Sequence, residues 1–146
     1  MSRRTTLLLA VLGIGCVTAL ASGCKNPPTK EETAAVEYGP RPETFEQIIR
    51  EYLKPKLTDP AAIVEFKAGP TRLYQQDTAL RPLQYGWAVC TMIKDKGTYG
   101  AVEGFYPMVF FIRDGKIIAV NGGSDDNLVG WRFARTGCRE LGYEIP

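Results

Sequence analysis

The chain has 146 residues, 45% apolar and 23% charged, an ordinary globular balance with enough length for one self-supporting core. Arg3 and Arg4 account for the whole formal net charge of +2, so residues 24–146 are formally neutral and lack the basic excess with which nucleic-acid binders displace counterions. Histidine is absent and Ser124 is the one serine after residue 23, which excludes histidine-assisted nucleophiles and histidine metal sites and leaves carboxylate, lysine, tyrosine or cysteine chemistry.

Residues 1–23 read as an export signal. Arg3 and Arg4 form a positive start, an apolar run extends from Leu7 to Leu20, and Ala21-Ser22-Gly23 precede Cys24. The run is too short to span a bilayer, which takes about 20 residues. Leu20-Ala21-Ser22-Gly23-Cys24 resembles the lipobox of bacterial lipoproteins, which implies a diacylglycerol on the Cys24 sulfur and a stable membrane anchor. Ala19-Leu20-Ala21 is also an A-x-A site, and cleavage there would give a soluble periplasmic protein instead. Ser2-Arg3-Arg4 hints at a twin-arginine signal but lacks the rest of that motif, and Cys16 lies inside the apolar run. Lys25 after Cys24, rather than an aspartate, resembles the outer-membrane sorting pattern of enteric bacteria.

Residues 24–42 carry Pro27, Pro28, Pro40 and Pro42 and few large apolar side chains, and read as a flexible tether. Fully stretched, it would reach roughly 60 Å at ~3.3–3.6 Å per residue, holding a single domain at 43–146 clear of the membrane.

That domain opens with a helix over 44–54. Phe45, Ile48, Ile49, Tyr52 and Leu53 share one face, Thr44 and Gln47 form a capping-box pattern, and Pro55 stops it. Asp59-Pro60 predicts a turn, and the alternation of Ala62, Val64 and Phe66 with Ile63, Glu65 and Lys67 predicts a strand ending at Gly69-Pro70. The polar stretch 71–83 reads as a loop. A long strand over 84–93 places Tyr85, Trp87, Val89, Thr91 and Ile93 on one face and Ala88, Cys90 and Met92 on the other.

Strands over 105–112 and 117–120 flank Arg113-Asp114-Gly115-Lys116, where Asp-Gly suits the positive φ angles of a two-residue hairpin. Val109-Phe110-Phe111-Ile112 is apolar on both faces, so its strand belongs in the middle of the sheet. Leu128, Trp131, Ala134, Cys138 and Leu141 recur at helical spacing, with Asn127 as a cap and Gly142 as the terminating residue, despite Gly130 and Gly137. The fold class is therefore α+β: an antiparallel sheet of about four strands with an N-terminal and a C-terminal helix packed on it.

Cys90 and Cys138 remain once Cys24 is lipidated. In an oxidising compartment, one on a core strand and one on the inner face of the last helix read as a disulfide; two buried free thiols are the alternative. No C-x-x-C and no basic neighbours suggest a redox-active pair. Lys94-Asp95-Lys96-Gly97-Thr98-Tyr99-Gly100-Ala101-Val102-Glu103-Gly104 is glycine-rich without phosphate-loop spacing, and reads either as a wide hairpin turn or as a binding loop using Lys94, Lys96, Tyr99 and Glu103. Asp95, Lys96 and Glu103 could serve catalysis, but no second acid stands at a defined spacing. Gly122-Gly123-Ser124-Asp125-Asp126-Asn127 lacks the alternation and distal glutamate of a calcium loop and reads as a solvated turn. No metal or cofactor is implied.

Several stretches carry a family likeness: Tyr52-Leu53 to Asp59-Pro60-Ala61-Ala62, then Gly69-Pro70 and Gly86-Trp87-Ala88-Val89-Cys90, then Tyr99-Gly100, Gly104, Pro107 and Phe110, and Asp114-Gly115-Lys116. Together they resemble a group of small exported proteins of Gram-negative bacteria, many of them lipoproteins. The resemblance spans roughly residues 45–120 and implies one folded periplasmic domain and no reaction. That group commonly has Asn-x-Lys-Asn before the Tyr-Gly pair; here the segment is Lys94-Asp95-Lys96-Gly97, so both amides are missing. The function expected from the sequence is a non-catalytic structural or protein-interaction domain on a cell-envelope lipoprotein, with the membrane and an envelope protein as partners. The alternatives are a lipoprotein inhibitor of a lysozyme-type hydrolase that plugs its target with loop 94–104, and a carboxylate- or lysine-based enzyme.

Overall fold

The computed structural model describes residues 31, 34–75, 83–95, 105–123 and 128–145. Helix α1 (Phe45–Leu53) is followed by strands β1 (Ile63–Gln75), β2 (Gln84–Lys94), β3 (Tyr106–Arg113) and β4 (Lys116–Gly122), and then by helix α2 (Leu128–Glu140). The strands form one antiparallel sheet in the order β1-β2-β3-β4, so the fold is α+β. None of the described helices is long and apolar enough to cross a membrane.

Each helix covers one face of the sheet. On the α1 face, Ile49 and Leu53 pack with Val89, Ile93, Tyr106, Met108, Phe110 and Ile112, and Phe45, Ile48 and Tyr52 complete the layer. Burying Ile49 and Leu53 contributes about 1.5–3 kcal/mol each. Phe45 meets Phe66 edge-on at 5.8 Å, and Tyr52 meets Phe110 likewise at 5.8 Å. On the α2 face, Ala134 and Cys138 pack with Ala88, Cys90, Met92, Val109 and Phe111. Strand β3 touches both layers and is buried from Tyr106 to Ile112, which is why its sequence shows no polar alternation. Thr91, fully buried, is satisfied by donating its hydroxyl to the Met108 carbonyl at 3.2 Å.

The local signals act as their chemistry predicts at several points. Asp114 and Gly115 have φ of 50° and 71°, closing the β3–β4 hairpin between the paired residues Arg113 and Lys116. Asp59 accepts the Ala61 N–H on its side chain at 2.8 Å and the Ala62 N–H on its carbonyl at 3.0 Å, forming the turn before β1. Helix α2 ends with Tyr143 N–H donating to the Cys138 carbonyl at 2.9 Å and Gly142 N–H to the Arg139 carbonyl at 2.9 Å, the paired bonds of a Schellman motif. Gly137 brings α2 close to β3, since a Cβ there would lie 3.1 Å from Val109 Cγ2.

Three expectations are corrected. Thr44 caps α1 without a side-chain hydrogen bond, and Gln47 donates instead to Glu51 at 2.9 Å, so the capping box does not form. Strand β1 does not end at Gly69-Pro70, and residues 71–75 are not loop: the strand runs on, pairing Arg72 with Trp87 and Tyr74 with Tyr85. It does so through two register shifts, between Phe66 and Ala68 and between Ala68 and Thr71. The proline is tolerated because β1 is an edge strand and Gly69 there takes a φ of 102°. Finally, the folded part begins before residue 43. Tyr38 is buried, and Gly39 accepts a hydrogen bond from Trp87 Nε1 at 3.1 Å, so this end of the expected tether lies on the sheet.

Candidate functional site

Of the residues singled out in the sequence, Cys90 and Cys138 form a disulfide that joins β2 to α2 across 48 residues, with both sulfurs fully buried. Lys94 is exposed at the end of β2. Lys96, Tyr99, Glu103 and Cys24 lie outside the described residues, as do residues 1–23, Ser124, Asp125, Asp126 and Asn127. Among the described residues no cluster of acids and cysteines comes together that could hold a metal ion.

Asp95 is tied into the fold by its own side chain. Its side chain is 5% exposed. The carboxylate accepts the Thr58 N–H at 3.1 Å, the Asp59 N–H at 3.0 Å and the Thr58 hydroxyl at 3.2 Å. Those donors belong to the turn between α1 and β1, so Asp95 clasps that turn to the end of β2.

The chemistry-bearing cluster that sequence reading missed is at the other end of the β1–β2 ribbon. Arg72 lies across from Trp87 and sets its guanidinium 5.2 Å from that ring and 5.5 Å from Tyr38. Tyr74 stacks on Tyr85 with centroids 6.4 Å apart, and Tyr38 meets Tyr85 edge-on at 6.1 Å. Arg113, next to the β3–β4 turn, covers Tyr85 at 4.4 Å. Burial raises the Tyr38 hydroxyl above its ordinary pKa of 10.0; Arg72 pulls against this and Tyr74 adds to it. A cavity of about 380 Å³ opens here between Ala34, Tyr38, Arg72 and Tyr74.

Beside this cluster, the start of β2 lies against β4. Asn121 donates to Gln75 at 3.1 Å and to Gln84 at 2.8 Å, forming a polar knot among buried neighbours. Among the described residues, two donors in this region are buried and lack an acceptor: Gln75 Nε2 and Arg113 Nη1. A groove of about 410 Å³ runs between Leu83, Gln84 and Tyr85 on one side and Ile118, Ala119 and Val120 on the other, with Arg113 in its lining.

A separate cavity of about 600 Å³ lies between α1 and the turn before β1. Leu53, Leu57 and Val64 line it, while Arg50, Glu51 and Lys54 around it are exposed. It holds no counterpart to the unpartnered Arg113 donor among the described residues.

The signal for the Arg–Tyr–Trp cluster was present in Arg72 and Tyr74, whose spacing matches Trp87 and Tyr85, but it becomes visible only when 71–75 is paired as strand. A scan against protein-family models, a search of curated proteins and a search of solved structures return no match to this chain.

Proposed function

We propose that this chain is a cell-envelope lipoprotein, anchored through Cys24 and facing the periplasm, whose folded domain binds a partner rather than catalysing a reaction. The observation that carries the reading is the buried Cys90–Cys138 disulfide in a chain that starts with an export-type segment and a lipobox-like Leu20-Ala21-Ser22-Gly23-Cys24. Such a bond persists in the oxidising space that an export signal leads to. The engagement of Asp95 with the Thr58–Asp59 turn supports the non-catalytic part, because it gives this acid a structural role. Lys25 favours the outer membrane, and the likeness to small exported proteins of Gram-negative bacteria supports a periplasmic domain.

The test has two arms. Metabolic labelling with a palmitate analogue should mark the wild-type protein and not a Cys24→Ala variant. Crosslinking in cells followed by mass spectrometry should recover an envelope protein joined to the folded domain. An unlabelled wild type that matures and localises like the variant would overturn the anchor, and turnover of a cell-wall substrate by the purified chain would overturn the non-catalytic reading.

A further inference from the structure

We propose that the groove between the start of β2 and β4 docks the end of a partner polypeptide: a free terminal carboxylate with an apolar last side chain. The proposal rests on the partner-binding reading above and names the chemistry of what is bound.

The charge comes first. Arg113 is seated on Tyr85 at 4.4 Å, which fixes the guanidinium plane, and it lines the groove. Its Nη1 is buried without a hydrogen-bond acceptor. Among the described residues Arg113 also has no ion-pair partner, so its charge is left for an anion supplied from outside. The guanidinium fork matches a carboxylate, which can take two parallel N–H bonds. Gln75 Nε2 is a second buried donor without an acceptor, on a side chain tied through Asn121 to the groove residue Gln84.

The walls decide what the carboxylate is attached to. Leu83 is 37% exposed and Ile118 40% exposed, and these two large apolar side chains flank the groove from opposite sides. An apolar side chain next to the carboxylate would cover both. Strand β4 is an edge of the sheet, the kind of strand beside which an extended chain can lie. The bulge at Ile118, where Ile117 and Ala119 oppose the adjacent residues Ile112 and Phe111, interrupts that edge. A volume of about 410 Å³ and a broken edge suit the last residues of a chain better than a long added strand.

The experiment uses the full lipidated chain in detergent micelles and fluorescence anisotropy with two labelled pools of hexapeptides. Both pools end in leucine, isoleucine or valine and are randomised upstream; one ends in a free carboxylate and the other in an amide. The free-acid pool should bind, and amidation or Arg113→Gln should each weaken binding about tenfold or more, the scale of a hydrogen bond to a charged group. Leu83→Glu, at an exposed position that the fold tolerates, should weaken it through repulsion while the thermal midpoint stays unchanged. Equal binding of the amidated pool, or indifference to both substitutions, overturns the proposal. Absence of binding overturns it too, and if in-cell crosslinks to an envelope protein persist, that result rejects this groove while the partner-binding reading stands.

Discussion

Asp95 accepts a hydrogen bond from the Thr58 backbone N–H, 37 residues earlier in the chain, at 3.1 Å. With the Asp59 N–H at 3.0 Å and the Thr58 hydroxyl, it holds the exit of α1 to the end of β2. Asp95→Ala removes the acceptor for all three donors and should cost about 2–3 kcal/mol, while Asp95→Asn, which keeps one oxygen, should cost about 1 kcal/mol. Urea unfolding of the two variants measures this. Equal and negligible losses would show that the clasp is not part of the stable fold.

Gly69→Ala should be among the most damaging single changes in β1. At a φ of 102°, a Cβ would come within 2.3 Å of the Ala88 carbonyl oxygen, and backbone cannot swing aside as a side-chain tip can. The expected cost is about 3 kcal/mol or more, backbone strain and steric conflict together. Gly115→Ala meets nothing within 4 Å and should cost about 1 kcal/mol, the left-handed penalty alone. Chemical denaturation of both proteins side by side separates the two effects.

Replacing both Cys90 and Cys138 with alanine should lower stability by about 4 kcal/mol in the chain-entropy picture, given their separation of 48 residues. The native contacts around Ala88, Val109 and Ala134 remain, so the variant should fold with the same far-ultraviolet spectrum but at a lower urea midpoint. A midpoint that does not move would mean that the reduced chain already holds α2 against the sheet.

Tyr38 gives the domain an alkaline limit. Its folded pKa is raised above 10.0, mainly by burial, so the benefit of keeping the phenol neutral is fully present below pH 10 and is lost as pH climbs through the folded value. Between about pH 9 and 12, the wild-type thermal midpoint should fall more steeply than that of Tyr38→Phe. Parallel slopes would show that Tyr38 ionises without disturbing the fold.

The elements that could be read in advance are those whose cause is local. Helix α1 follows from five apolar residues at helical spacing, the β3–β4 hairpin from Asp114-Gly115, and the end of α2 from Gly142. The second half of β1 could not be read, because Gly69-Pro70 carries the local chemistry of a stop and only pairing with β2 overrides it. The role of Asp95 was equally hidden, since its partners are far away in sequence. The same holds for the groove: Arg113 looks like an ordinary turn-flanking cation until Tyr85 and Ile118 are brought beside it.

The two helices are attached in different ways, and this bears on how the molecule comes apart. α2 is stapled to β2 through sulfur, whereas α1 is held on by oily side chains and, at its exit, by the Asp95 clasp. Partial opening in an oxidising medium should therefore peel α1 away first, and native-state amide exchange should find Phe45–Leu53 less protected than the second half of α2. A molecule opened that way would bare Val89, Phe110 and Ile112, giving it a sticky flank. The gentlest route to aggregation then begins at the N-terminal helix, with the cystine still intact.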